Sequence, residues 1–240
     1  MEVVEYIEAI RSDGEALAEA ALVDMSASVT ACPGWNVAAL VWHIGEVHAF
    51  WCQIAKRRLQ DRSDAERPDR PDDSDLIEWY RAGLADLVKV LGNADPTTPV
   101  YSWSPQKNIA FIQRRMAQET AVHRWDAGAA AGRPRPIDST LAVDGIDEFL
   151  DFFLPDALEG SAAPDKSVHI HCTDAPGEWL VSFVDGDARV ERVHSKGDAA
   201  VRGTASDLLL LLWRRVPAQE VEVIGDTTAV DKFLARTNLD

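Results

Sequence analysis

The sequence changes its hydrophobic period once, near residue 132, and that switch constrains the fold more than any other feature. Upstream, apolar residues recur at three- and four-residue steps, as in VAALVWHIGEVHAFW, which is the rhythm of an amphipathic helix. Downstream, segments such as KSVHIHCTD and EWLVSFVDGDARVERV alternate apolar and polar residues, which is the rhythm of a strand. No strand pattern precedes Arg133, so four helices joined by loops are expected there, and a four-helix bundle is the architecture that buries their apolar stripes. The whole chain is therefore expected to be α+β.

Boundary signals divide it further. A helix is expected from about Glu2 to Asp24, tolerating Gly14; the ACPGW turn then leads to Asn36, an N-cap for the helix carrying His43, which should end near Gln60. A charged connection over Asp61–Pro71 precedes a third helix, opened by Asp72, Asp73 and Ser74 and closed near Gly92. In the turn-rich NADPTTPVYSWSPQKN, Tyr101 and Trp103 either pack on the bundle or cover a pocket mouth. The fourth helix should run from about Ile109 to Ala131 and stop at Gly132. After GRPRP a short helix, STLAVDGIDEFLDFFL, is followed by a strand, a hairpin turning at Asp185 to Asp187, a buried helix capped by Ser206 or Thr204, the strand VEVIG, and a closing helix capped by Asp226. This implies a helical bundle over 1–135, a connecting helix and linker over 136–165, and an α/β domain over 166–240.

Charge limits the partners. Forty acidic against 24 basic residues give a formal net charge of −16, which opposes binding to nucleic acid and to anionic membranes and leaves small molecules as the expected ligands. LLLLLW is too short to span a bilayer and the N-terminus has no signal-peptide pattern, so a cytoplasmic protein, monomeric or homodimeric, is expected. Cys32, Cys52 and Cys172 are odd in number and widely spaced; they read as ordinary thiols in a reducing compartment.

The chemistry lies on two helical stripes. One comprises Leu40, His43, Ile44, Val47, Phe50, Trp51 and Ile54; the other Ile112, Met116, Glu119, His123, Asp126 and Ala130. Glu119 and His123, four residues apart, project from one face of a helix. Polar groups at such positions are costly unless paired, and either a metal or a satisfied hydrogen-bond network meets that cost. Two histidines and a carboxylate suit Zn²⁺ and related divalent ions, and three protein ligands leave coordination positions open. The same residues could also be separate core or surface groups. Asp126, one turn beyond His123, either orients that imidazole, holds a substrate amine, or pairs with Arg124. Glu46 and His48 fall off the first stripe and read as peripheral, and His169 and His171 share the polar face of their strand and read as solvent-facing rather than ligating.

The PGW turn, the WHIGEVH helix, the ETAVHRWDA segment and GTASDLLLLLWRR followed by VEVIGD, taken in order, resemble the mycothiol-dependent maleylpyruvate isomerase family. The resemblance covers nearly the whole chain. It implies a DinB-like metal-binding four-helix bundle joined to a smaller sterol-carrier-like α/β domain, with a divalent metal, zinc first, on His43, Glu119 and His123, and mycothiol as thiol cofactor. It further implies cis–trans isomerisation by reversible thiolate addition to the double bond of maleylpyruvate; a mycothiol S-transferase and a non-catalytic metal- or ligand-binding module are the alternatives. Arg215 falls where the family places an arginine for substrate carboxylates. Family members commonly carry Gly just before it, whereas this chain has Arg214, so either arginine could face the site.

Overall fold

The computed structural model describes residues 1–155 and 165–237. The chain divides into two compact units, Met1–Arg135 and Pro136–Asp240. Residues 156–164, part of the stretch expected to link them, lie outside the described residues.

The first unit contains four long helices, α1 (Val3–Ala21), α2 (Val37–Arg57), α3 (Leu76–Gly92) and α4 (Ile109–Ala130), and no β-ladder. Side-chain caps set where two of them begin: Asn36 Oδ1 accepts from Ala39 N at 2.8 Å, and Asn108 Oδ1 from Phe111 N at 3.2 Å. Ile10 and Leu17 of α1, Leu40, Ile44 and Ile54 of α2, Tyr80 and Leu87 of α3, and Phe111 and Ile112 of α4 are wholly excluded from solvent. Burial of each such side chain contributes about 1.5–3 kcal/mol, which is what holds the four helices together. Tyr101 stacks at 6.3 Å on Trp51 and Trp103 meets the edge of Phe111 at 5.1 Å, so both aromatics pack on the bundle.

Two details differ from the sequence expectation. The buried face of α2 runs through Val37, Val41, Ile44, His48, Trp51 and Ala55, with Val47 and Phe50 at its margin. His48 is therefore a core residue rather than a peripheral one, and His43 sits at the edge of the buried face. In addition, α4 is enclosed on nearly every side, burying Gln113, Arg115, Gln118, Thr120, Arg124 and Asp126 along with its apolar residues. Its polar content is hidden because it faces neighbouring helices, not solvent.

The second unit opens with α5 (Ser139–Glu148), which continues through a π-helical turn over Phe149–Phe153. Its mixed sheet has the order β3-β2-β1-β4-β5, built from β1 (Val168–Cys172), β2 (Glu178–Val184), β3 (Asp187–Glu191), β4 (Ala199–Gly203) and β5 (Glu222–Gly225). Only the β1–β4 pair is parallel. The β2–β3 hairpin turns at Asp185–Gly186, with φ of 54° and 97°, as the Asp-Gly pair requires. Helices α6 (Ala205–Leu212) and α7 (Thr227–Arg236) follow, capped by Thr204 and Asp226. Val168, Ile170 and Val201 on one sheet face pack against Leu208, Leu211, Val230 and Phe233. α5 packs on α6 inside this unit, and Asp147 accepts from Trp179 Nε1 at 2.7 Å. Strand β4 was not expected: it opens on two consecutive alanines and closes on a glycine, residues of weak strand preference.

Candidate metal centre

The three residues singled out on α2 and α4 converge. His43 Nε2 lies 3.6 Å and His123 Nε2 3.3 Å from the same oxygen of Glu119, Oε1. The two imidazoles meet edge to face with centroids 5.2 Å apart. Four-residue spacing puts Glu119 and His123 on one face of α4, and the position of His43 at the margin of the α2 core face aims its ring across at them. Donors bonded to one tetrahedral ion at about 2.0–2.1 Å stand about 3.3 Å from each other, so these separations fit a shared divalent ion.

Two of the three candidate ligands are held from behind. Arg115 Nη2 donates to Glu119 Oε2 at 2.8 Å, reserving one carboxylate oxygen and leaving the other for the histidines. Asp126 Oδ2 sits 2.9 Å from His123 Nδ1, on the opposite side of the ring from Glu119. Arg124, the competing partner considered for Asp126, pairs with Asp13 at 3.0 Å and donates to the Arg135 carbonyl at 2.5 Å. Burial tends to raise the Glu119 pKa, but Arg115 and hydrogen bonds from His123 and His43 outweigh it, so Glu119 is an anion far below its usual range. Burial tends to lower the His123 pKa, but Asp126 and Glu119 carry it up to about 9. A positive charge between two carboxylates is thus favoured at this point, and a divalent ion supplies one.

The turn before α2 completes the wall. Cys32–Pro33–Gly34–Trp35 closes through Trp35 N donating to Cys32 O at 3.0 Å, with Gly34 at φ 83°, the position of a type II turn that needs glycine. It brings the Trp35 ring to 4.9 Å from the His43 ring. It also places Cys32 Sγ, a ring nitrogen of His123 and an Asp126 oxygen within 4.8 Å of one another. Sequence reasoning missed Cys32, Trp35 and Arg115; the usable signals were the turn's position directly ahead of the His43 helix and the four-residue step from Arg115 to Glu119. Cys52 and Cys172 are buried thiols pushed up to about 12, by burial first and then by nearby carboxylates, so they are poor nucleophiles.

The two arginines of the second unit separate by role. Arg214 takes the left-handed conformation, φ 60°, at the end of α6, which is where a helix commonly places glycine. Its guanidinium donates to the carbonyls of Leu211, Leu212 and Leu234 and to Thr237 Oγ1. Arg215, half-buried, donates from Nη1 to the Trp213 carbonyl at 2.8 Å.

A four-helix unit in which His43, Glu119 and His123 could hold a metal ion, followed in the chain by a mixed-sheet unit, defines the class of two-unit protein. The chain belongs to the mycothiol maleylpyruvate isomerase family: residues 5–128 match that family's N-terminal domain and residues 140–232 its C-terminal domain. It is similar in fold to a crystal structure of the mycothiol-dependent maleylpyruvate isomerase, at 10% identity and a TM-score of 0.64 over 95% of this chain and 94% of that one. A single-site mutant of that isomerase gives 8% identity and 0.63 over the same shares. No curated protein matches the chain in sequence. Among the described residues no helix is long and apolar enough to cross a membrane.

Proposed function

We propose that this protein is a mycothiol-dependent maleylpyruvate isomerase, holding about one divalent ion, zinc first, on His43, Glu119 and His123 of its bundle. The observation that carries the reading is the convergence of two imidazole nitrogens on one oxygen of a carboxylate whose other oxygen is held by Arg115. When bound, such an ion lowers the pKa of a thiol so that it reacts as thiolate near neutral pH. The chain's own residues do the rest. Glu119 would offer a bound ion one oxygen, because Arg115 occupies the second, and three protein donors would leave a position for a thiol sulfur. Asp126 fixes the His123 ring and its tautomer by accepting from Nδ1. Trp35, beside His43, shields that ligand from water on the side of the turn. Arg215 is the candidate to bind a substrate carboxylate, because the Arg214 guanidinium is committed to the carbonyls that end α6 and to Thr237. The family's thiol chemistry belongs to the cytoplasm, which the reducing-compartment cysteine pattern supports.

The test is turnover of maleylpyruvate by purified protein with and without mycothiol, following product and thiol together. An isomerase gives the trans product with thiol undiminished. Consumption of one thiol per product would assign an S-transferase, and no thiol-dependent turnover of maleylpyruvate or of a panel of electrophiles would refute the enzyme reading.

A further inference from the structure

The polar face of the second unit's sheet carries a second ligand cluster, made of none of the residues used above. His169 and His171 alternate on β1 and so share a face, and Glu178 stands directly opposite His171 in the antiparallel register with β2. His194, in the segment between β3 and β4, closes over them. One ligand atom from each of the four lies within 4.8 Å of all the others. The expectation of solvent-facing histidines is corrected here: His169 is 7% exposed, because its neighbours on this face cover it.

The arrangement is built around one carboxylate. Glu178 Oε2 lies 3.2 Å from His169 Nε2 and 2.5 Å from His194 Nδ1, and Oε1 lies 3.2 Å from His171 Nδ1. The three rings form a near-equilateral triangle, with centroids 5.6, 5.8 and 6.1 Å apart and planes tilted 67–85° to one another. One feature is unlike an ordinary histidine–carboxylate hydrogen-bond network. Three imidazoles are within what the two oxygens of one carboxylate can take as partners, but His171 Nδ1 is enclosed and without a hydrogen-bond partner, 3.2 Å from Oε1. An enclosed, unpartnered imidazole nitrogen beside three other donor groups is what a metal ligand offers.

We propose that His169, His171, Glu178 and His194 form a second, closed site for a borderline divalent ion such as Zn²⁺. Three imidazoles and a carboxylate suit that class rather than Mg²⁺ or Ca²⁺, which take oxygen donors. Tetrahedral donors stand about 3.3 Å apart, and each oxygen of Glu178 has one imidazole nitrogen at nearly that spacing, Oε2 with His169 Nε2 and Oε1 with His171 Nδ1, both at 3.2 Å. His194, at 2.5 Å from Glu178 Oε2, has to draw back to share an ion with it, and its side chain is 80% exposed and outside any strand. An open concavity bounded by Glu178, His194, Arg192 and Asp147 gives the ion a way in. With four protein ligands the site has no vacant position, so its role is to cross-link β1, β2 and the segment before β4 rather than to activate a substrate.

The experiment uses the full chain carrying His43→Ala and His123→Ala, so that zinc at the bundle does not contribute, titrated with Zn²⁺ against a chromophoric chelator. This protein should still bind about one zinc per chain, and adding His171→Ala should weaken that binding by at least about 100-fold. Because His171→Ala could disturb the sheet, His194→Ala, at an exposed position, is measured beside it and should weaken binding by at least about tenfold with an unchanged far-ultraviolet circular dichroism spectrum. Co²⁺ in place of zinc should give the intense visible absorption of a tetrahedral site. Absence of zinc binding in the bundle variant, or binding unaltered by both further substitutions, would overturn the proposal, whatever the outcome at the bundle.

Discussion

Asp126→Asn isolates the part of the bundle site that acts through another residue. The wild-type carboxylate is shielded from solvent and lies 2.9 Å from His123 Nδ1, so it is a charge-assisted acceptor in a low-dielectric setting. Hydrogen bonds to charged groups contribute about 1.5–3 kcal/mol and neutral ones about 0.5–1.5, so an isosteric amide that keeps the contact but not the charge should lose about 1–1.5 kcal/mol. That converts to roughly tenfold weaker metal binding, at about 1.4 kcal/mol per tenfold. The assay is zinc affinity by chelator competition above pH 9, where the His123 proton, with its pKa of about 9, no longer competes with the ion. Asn can still accept from Nδ1, so the fold should be undisturbed and the melting temperature should confirm it. His43→Ala, which removes a ligand outright, sets the scale for complete loss. If Asp126→Asn bound zinc as tightly as wild type while His43→Ala did not, the idea that Asp126 orients His123 would be wrong.

Other perturbations have equally definite outcomes. His48 is wholly buried, with Nε2 2.9 Å from Thr120 Oγ1, and burial lowers its pKa to about 3, so folding favours the neutral ring. Its contribution is complete above the unfolded value of about 6.5 and is lost as pH falls toward 3, on the order of 2 kcal/mol between pH 6.5 and 5. Urea unfolding of wild type and His48→Gln at those two pH values should show the steeper loss in wild type, and equal losses would contradict the buried-neutral assignment. Gly45→Ala would drive a methyl group into the Trp79 ring, and overpacking of this kind costs about 1–3 kcal/mol, more than the helix gains from alanine; an unchanged midpoint would mean that the ring yields freely. Arg214→Met should cost about 1–3 kcal/mol by stripping donors from the α6 carbonyls, whereas Arg215→Met should lower turnover of an anionic substrate more than that of a neutral electrophile. Equal losses on both substrates would assign Arg215 to packing.

The helices and hairpin were legible because local signals act locally. Asn36 and Asp226 cap where their side chains reach the first free amides, and Asp185–Gly186 turns because both residues accept positive φ. Glu119 and His123 could be paired from spacing alone, since both lie on α4, but bringing His43 to them requires the packing of two helices that no spacing rule encodes. His48 was misplaced for a related reason: the apolar residues of α2 are compatible with either of two neighbouring stripes, and packing against α3 and α4 decides which is buried. His169 shows the same limit on a strand. Alternation identified its face, but not that Glu178 and His194 would cover that face.

The division of labour within Glu119 also bears on how this protein could be changed. Arg115, Glu119, His123 and Asp126 all project from α4, a helix enclosed by its neighbours, so both supporting contacts are made within one buried element. Trp35, Cys32 and His43, by contrast, come from a tight turn and the margin of α2. A mutational library aimed at new substrates should therefore be spread over the turn and the exposed flank of α2. Diversity placed in α4 would mostly break the Arg115–Glu119 and Asp126–His123 contacts before any selection for substrate could act.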